Sequence, residues 1–190
     1  MGYILERLLG RENRVRDKIN VLRSKHDTNI LPRFAVLCAG HVLSNFERVY
    51  PNDDRPRKAI ESAEAYLTNP SALTAISLKP VAGISSIREG IYEQAATAGS
   101  AIERSLSSAL DSLGAVETAV GSIDYNAANP ESHAPMLLAD LAYSTAVFAA
   151  RSARHAAHNG KGPAAECAER SWQYRTLMNL INEGPEQHLF

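Results

Sequence analysis

Apolar residues recur every three or four positions through most of this chain, with polar residues filling the intervals. Ile4, Leu8, Val15, Ile19 and Leu22 step at helical spacing between charged residues, which predicts an amphipathic helix over 2–26, weakened at Gly10. A second helix follows Pro32, with Phe34, Cys38, Val42 (or His41), Phe46 and Val49 on one face, until Tyr50-Pro51-Asn52-Asp53 forces a turn. The third opens at Asp54-Arg55-Pro56. There Asp53 or Asp54 can cap free backbone N–H groups, and Pro56 fits the first turn because the N–H it lacks would be unpaired anyway. Ala59, Ile60, Ala63 and Leu67 supply its buried stripe.

Asn69-Pro70 repeats the punctuation and starts a short helix that Pro80 ends or kinks, with Gly83 marking the loop that follows. From about Ser85, the residues Ile87, Ile91, Ala95, Ala98, Ile102, Leu106, Ala109 and Leu113 keep one helical period, predicting a long helix that ends near Gly114. A weaker helical segment, Ala115 to Ile123, leads into a loop from Asp124 to His133. Met136 to His158 is helical and rich in alanine, and Asn159-Gly160-Lys161-Gly162-Pro163 stops it. The final helix runs from Ala164 to about Asn182 and is expected to bury Cys167, Tyr174, Leu177 and Ile181.

No stretch alternates with the period of two that a strand needs, so no sheet is expected. The predicted fold class is all-α, a compact bundle of about seven to eight helices. Ala146, Ala149, Ala150, Ala153, Ala156 and Ala157 let neighbouring helices approach closely. Residues 1–190 are expected to form a single helical domain with its core over 31–183. The helix within 1–28 must cover its apolar stripe either against that core or against a second copy, which makes a homo-oligomer one of its expected outcomes.

Charge removes one class of partner. Lys and Arg number 20 against 21 Asp and Glu, a formal net charge of −1, and only Arg11 to Lys25 leans basic. A nucleic-acid binder draws most of its affinity from neutralising phosphates, so no nucleic acid is expected. The most apolar stretch, Met136 to Ala150, contains Asp140 and is shorter than the roughly 20 residues that span a bilayer. The N-terminal residues lack the apolar segment of a signal peptide, so a cytoplasmic location is expected, away from membranes. Cys38 and Cys167 lie in apolar helical patterns and are expected to be free thiols.

The familiar catalytic devices are missing. His155 and His158 are spaced i, i+3, but the adjacent chain offers Arg151, Arg154, Asn159 and Lys161 instead of further ligands, so no metal is expected. No His-Glu-x-x-His, Cys-x-x-Cys, Glu-x-x-His or glycine-rich phosphate loop occurs. Cys38 and His41 are three apart, but a thiol on an apolar stripe has a raised pKa and is inert. Neither enzymatic activity nor a cofactor is expected.

The densest polar cluster runs from Glu47 to Glu61 through Tyr50, Asp53, Asp54, Arg55 and Arg57. It reads in two ways. It is a capped turn in which Arg57 or Lys58 pairs with Glu61 one helical turn on, or it is a binding corner where Arg55 and Arg57 offer planar donors to an anion beside a helix N-terminus. Trp172, between Glu169 and Arg175, is expected either to anchor the last helix on a neighbour or to recognise a partner.

Phe34 to Leu67, centred on Asp-Asp-Arg-Pro-Arg-Lys-Ala-Ile (Asp53 to Ile60), resembles a family of helical immunity proteins of bacteria and phages. The alanine-rich later helices and Glu169-Arg170-x-Trp172-Gln173 resemble it too. The resemblance implies an α-helical protein that neutralises a toxin or a defence effector by binding it. In that setting Tyr50, Asp53, Asp54, Arg55, Arg57, Glu61 and Trp172 are the candidate binding residues. The alternative is a sequestering protein for a nucleotide-type immune signal, with arginines on the phosphates and an aromatic on the base.

Overall fold

The computed structural model describes residues 14–25, 30–69, 80–97, 100–128, 135–157 and 161–183. They form seven helices and no strand. After α1 (14–24) come α2 (Ile30–Glu47), α3 (Arg55–Thr68), α4 (Pro80–Thr97), α5 (Ser100–Ala128), α6 (Pro135–Ala156) and α7 (Gly162–Glu183).

α2 packs against α3, α5, α6 and α7, and α5 against α2, α3, α4 and α6, so the two helices share the centre of the bundle. The sequence of α2 explains its position. Phe34, Cys38, Val42 and Phe46 form the expected stripe, and Leu31, Ala35, Val36, Ala39 and Leu43 are buried as well, so apolar surface covers most of its circumference. A helix apolar on several faces is satisfied only by neighbours on several sides. α1 settles its stripe on the same core, since Val15, Ile19 and Leu22 are buried there and the Arg16 guanidinium lies over the Tyr143 ring of α6. Ile4 and Leu8 lie outside the described residues.

Two sequence expectations about the middle of the chain are corrected. The single helical period from Ser85 to Leu113 is divided between α4 and α5, which fold back on one another: Arg88 Nη1 lies 2.7 Å from Glu117 Oε2, a contact no continuous helix could make across 29 residues. Pro80 opens α4, a place where its missing N–H costs nothing, and Gly83, expected to mark a loop, lies inside α4. The short helix expected over 70–79 lies outside the described residues.

α5 does not end at Gly114. It runs unbroken to Ala128, so Ala115–Ile123 is its continuation and residues 124–128 of the expected loop are helical; residues 129–133 lie outside the described residues. A Cβ built on Gly114 would stand 2.9 Å from the Phe148 ring of α6, so this glycine serves helix contact rather than helix termination. A Cβ built on Gly121, two turns on, would meet nothing within 4 Å outside its own helix backbone. Gly121→Ala is therefore expected to stabilise the protein by up to about 1 kcal/mol, read as a higher urea midpoint with an unchanged slope.

Small side chains let α2, α5 and α6 close on one another. Ala142, Ala146, Ala149 and Ala150 of α6 are buried, as are Ser108, Ser112 and Ser152. Ser112 Oγ is 3.0 Å from the Val42 carbonyl and 2.8 Å from Ser152 Oγ, while Asn45 Nδ2 donates to Ser152 Oγ at 3.0 Å. Each buried hydroxyl thus has a partner, as burial without water requires.

α7 is turned partway from the expected face, with Tyr174 and Ile181 still packed against the core. Leu177 is buried, but Cys167, Tyr174 and Ile181 are only half-buried, and the inward stripe is Glu166, Glu169, Arg170, Gln173, Leu177 and Leu180. A polar stripe survives inside because most of its groups find partners, the buried Gln173 Oε1 alone among the described residues having none. Arg170 donates to Glu166 Oε1 at 3.0 Å across one helical turn, Arg154 of α6 reaches the other Glu166 oxygen at 3.3 Å, and Gln173 Nε2 donates to the Ala146 carbonyl at 2.9 Å and to Glu169 Oε1 at 3.1 Å.

Candidate functional site

The turn between α2 and α3 is built as a set of closed ion pairs. Asp54 occupies the N-cap position of α3 but makes no side-chain capping bond. Its carboxylate goes to Lys58 at 2.8 Å. Asp53 does the local work: its Oδ1 accepts from the Arg55 backbone N–H at 3.3 Å, and its two oxygens take Arg55 Nε at 2.8 Å and Nη2 at 2.6 Å. That bidentate clasp holds the Asp53 carboxyl below its usual pKa. Arg57 is clasped in the same way, not by Glu61 but by Glu47 at the end of α2, with Nε and Nη2 each 2.7 Å from a carboxylate oxygen. The expected Arg57–Glu61 and Lys58–Glu61 pairs are thus replaced by Arg57–Glu47 and Lys58–Asp54. Tyr50 completes the corner, its hydroxyl donating to Gln94 Oε1 of α4 at 3.0 Å.

These pairs decide what the corner can hold. A phosphate clamp needs guanidinium groups with donors to spare, and here both arginines face carboxylates. A nucleotide phosphate would meet arginines whose charge and Nε–Nη2 edge are already given to carboxylates, with those carboxylates repelling it. The corner is instead an exposed, mixed-charge surface with fixed side-chain directions, held by contacts that are individually weak in solvent but mutually orienting.

The seven residues singled out from the sequence divide between two depressions. Tyr50, Asp53, Asp54 and Arg55 line one, at the turn itself. Arg57, Glu61 and Trp172 line the other, a groove between α2 and α3. α2 contributes Val36, Leu37, Gly40, His41, Leu43, Ser44 and Glu47 to that groove, and α3 adds Ile60 and Glu64.

Trp172 enters from α7 and stacks on His41, with ring centroids 3.8 Å apart and planes 3° from parallel. His41 is fixed from behind: its Nδ1 lies 2.7 Å from Glu169 Oε2, and a carboxylate partner places the hydrogen on Nδ1. Glu169 is nearly enclosed, 4% exposed at its side chain, against 42% for His41. The sequence reading missed His41, Glu47, Glu64 and Glu169 as site residues. The signal available was the spacing of Glu169 and Trp172, which places one inside and one at the rim of the same helix, but their partner His41 lies 128 positions away.

Neither catalytic candidate is assembled. Cys38 is fully buried, and burial, reinforced by the Glu169 charge, pushes its thiol well above its ordinary pKa. His41 is committed to Glu169. In a Cys167→Ser variant, Cys38 is expected to react with a disulfide reagent such as dithionitrobenzoate only at the rate of unfolding; fast labelling of the folded protein would show the site to be open. Both cysteines are free thiols. His155 Nδ1 pairs with Asp111 at 2.8 Å, and among the described residues no group of His, Cys, Asp or Glu could hold a metal ion. His158 lies outside them. Among the described residues, no helix is long and apolar enough to cross a membrane.

Against known proteins, residues 20–81 match the family described as Imm-5 like putative immunity protein. The matched stretch is about a third of the chain and contains α2 and α3, the two helices that carry the corner and the walls of the groove. No curated protein and no solved structure matches the chain.

Proposed function

We propose that this protein neutralises a toxin or defence effector by binding it, without chemistry of its own. The observation that carries this reading is the coincidence of the immunity-family match with α2 and α3, whose outward faces form a pre-ordered polar corner and an adjoining groove. Side chains already fixed before contact lose little freedom on binding, which is what an inhibitor surface requires. Tyr50, Arg55, Arg57 and Trp172 are the hot-spot candidates, being of the residue types that dominate such interfaces. Asp53, Asp54 and Glu61 set the direction and charge of the surface around them.

The test is capture of proteins on the immobilised full chain from the cells that carry its gene, followed by expression of each retained protein alone and together with this chain. One retained protein is expected to stop growth alone and to be harmless in company. If no retained protein is toxic, or toxicity persists on co-expression, the reading fails. With that partner in hand, alanine at each of the four candidates is expected to cost about 2 kcal/mol of binding. Unchanged affinity for both Arg55→Ala and Arg57→Ala would remove the corner from the interface.

A further inference from the structure

The groove between α2 and α3 carries a charge and a shape that select a particular kind of partner surface. Its apolar base comes from Val36 and Ile60, which are 1% and 5% exposed, beside half-buried Leu37. Gly40, midway along the α2 wall, contributes no side chain, and a Cβ there would meet only Ile60 Cγ2 at 3.9 Å, so the dip is open space rather than a packed crossing. The stacked His41 and Trp172 rings lie at the groove as an aromatic face.

The polar wall is acidic. Glu47, Glu61 and Glu64 line it against the single guanidinium of Arg57, and that guanidinium is already taken by Glu47. Among the described residues, the exposed carboxylates of Glu61 and Glu64 make no ion pair within 4.0 Å, although Glu61 also feels the charges of Arg57 and Lys58, which are themselves paired to Glu47 and Asp54. The chain as a whole is close to neutral, at −1, so this concentration is local and not a by-product of composition. Carboxylates beside an aromatic face and an apolar base complement side chains that combine a cationic head with a long aliphatic stem. Lysine and arginine have that form, the stem covering apolar surface and the head meeting the carboxylates or the ring face.

We infer that the α2–α3 groove, with Trp172 at its edge, is the docking site for a basic amphipathic segment of the neutralised protein. The assignment rests on the binding reading above and adds the chemistry of the partner. Lysine or arginine heads of that segment meet Glu61 and Glu64, and its apolar face covers half-buried Leu37 and fills the open space over Gly40.

The probe is an amphipathic helical peptide of lysine, arginine and leucine, with a counterpart in which glutamate replaces every basic residue. Binding is read from the fluorescence of Trp172, the only tryptophan, and from backbone amide NMR shifts of the full chain. The basic peptide is expected to bind, to shift the signals of Gly40, Ser44, Glu61 and Glu64, and to weaken as salt is raised, while the acidic peptide does not bind. Glu61→Lys/Glu64→Lys is expected to weaken binding at least about tenfold, and Gly40→Phe, which fills the dip without changing charge, to weaken it as well.

Glu103→Lys/Asp140→Lys makes the same change in net charge at exposed positions on α5 and α6 and is expected to leave affinity within about twofold. An equal loss in that control would reduce the effect to general attraction and overturn the assignment. Shifts confined to other helices would do the same. When the toxic partner is available, failure of the two parts can be told apart: a partner that is neutralised normally by the Glu61→Lys/Glu64→Lys variant leaves the binding function standing and removes the groove from it.

Discussion

Arg170→Ala is expected to lower the free energy of unfolding by about 3 kcal/mol, the largest loss among single polar substitutions in the bundle. Arg170 and Glu166 are 5% and 10% exposed at their side chains and pair across one turn on the buried face of α7. Taking away the guanidinium leaves a carboxylate that has lost water and most of its compensation. Arg154, at 3.3 Å and largely exposed, recovers only part of it. Replacing both partners by apolar residues avoids the stranded charge, so Glu166→Leu/Arg170→Met is expected to lie within about 1 kcal/mol of the original protein. Urea unfolding followed by circular dichroism measures both. A double variant as weak as the single one would trace the loss to packing of the long arginine stem instead of to charge.

The second large effect is a reversal of sign. Alanine for glycine inside a helix ordinarily stabilises by about 1 kcal/mol, but Gly114→Ala is expected to destabilise by about 1–2 kcal/mol. The new methyl would stand 2.9–3.1 Å from three carbons of the Phe148 ring, and the ring must move before α5 and α6 can keep their separation. Phe148→Leu, which withdraws the ring, is expected to return Gly114→Ala to a stabilising substitution in the double variant. If Gly114→Ala stabilises on its own, the contact between the helices is looser at this point than the 2.9 Å approach indicates.

The pair Gly114 and Arg170 shows where sequence reading of this fold succeeds and where it stops. Helical periodicity is a property of neighbouring residues, so α2, α3 and α6 are legible from their apolar stripes, as is the turn at Tyr50 to Asp54. Gly114 in isolation signals a stop, and only the ring of Phe148 on another helix explains it as a contact. Periodicity also assumes that the inward face is the apolar one. On α7 that assumption selects Cys167, Tyr174 and Ile181, because the compensation of Glu166, Glu169 and Gln173 comes partly from α2 and α6, far away in the chain.

The candidate site follows the same division. Tyr50, Asp53, Asp54 and Arg55 are neighbours in sequence and share a depression. Arg57, Glu61 and Trp172 also share one, but its membership was hidden, since His41, Glu47 and Glu64 declare themselves only when α2, α3 and α7 are side by side. The partners within the corner were misread for a related reason. Glu61 is one turn from Arg57 along α3, yet Glu47, ten positions back across the turn, presents one oxygen to Nε and the other to Nη2 of the guanidinium.

The position of α2 at the centre of the bundle has a consequence for how the chain is made. It leaves the ribosome before α5, α6 and α7, which supply most of the surface it packs on. Roughly 100 further residues must be added before α6 is complete, about 5–20 s at ordinary elongation rates. Throughout that interval Phe34, Val42 and Phe46 lack their final cover. The segment shared with the immunity family is therefore not a module that can ripen alone on the nascent chain. It inherits its shape from helices synthesised after it, so a truncation after residue 81 would yield a chaperone client and not a small inhibitor.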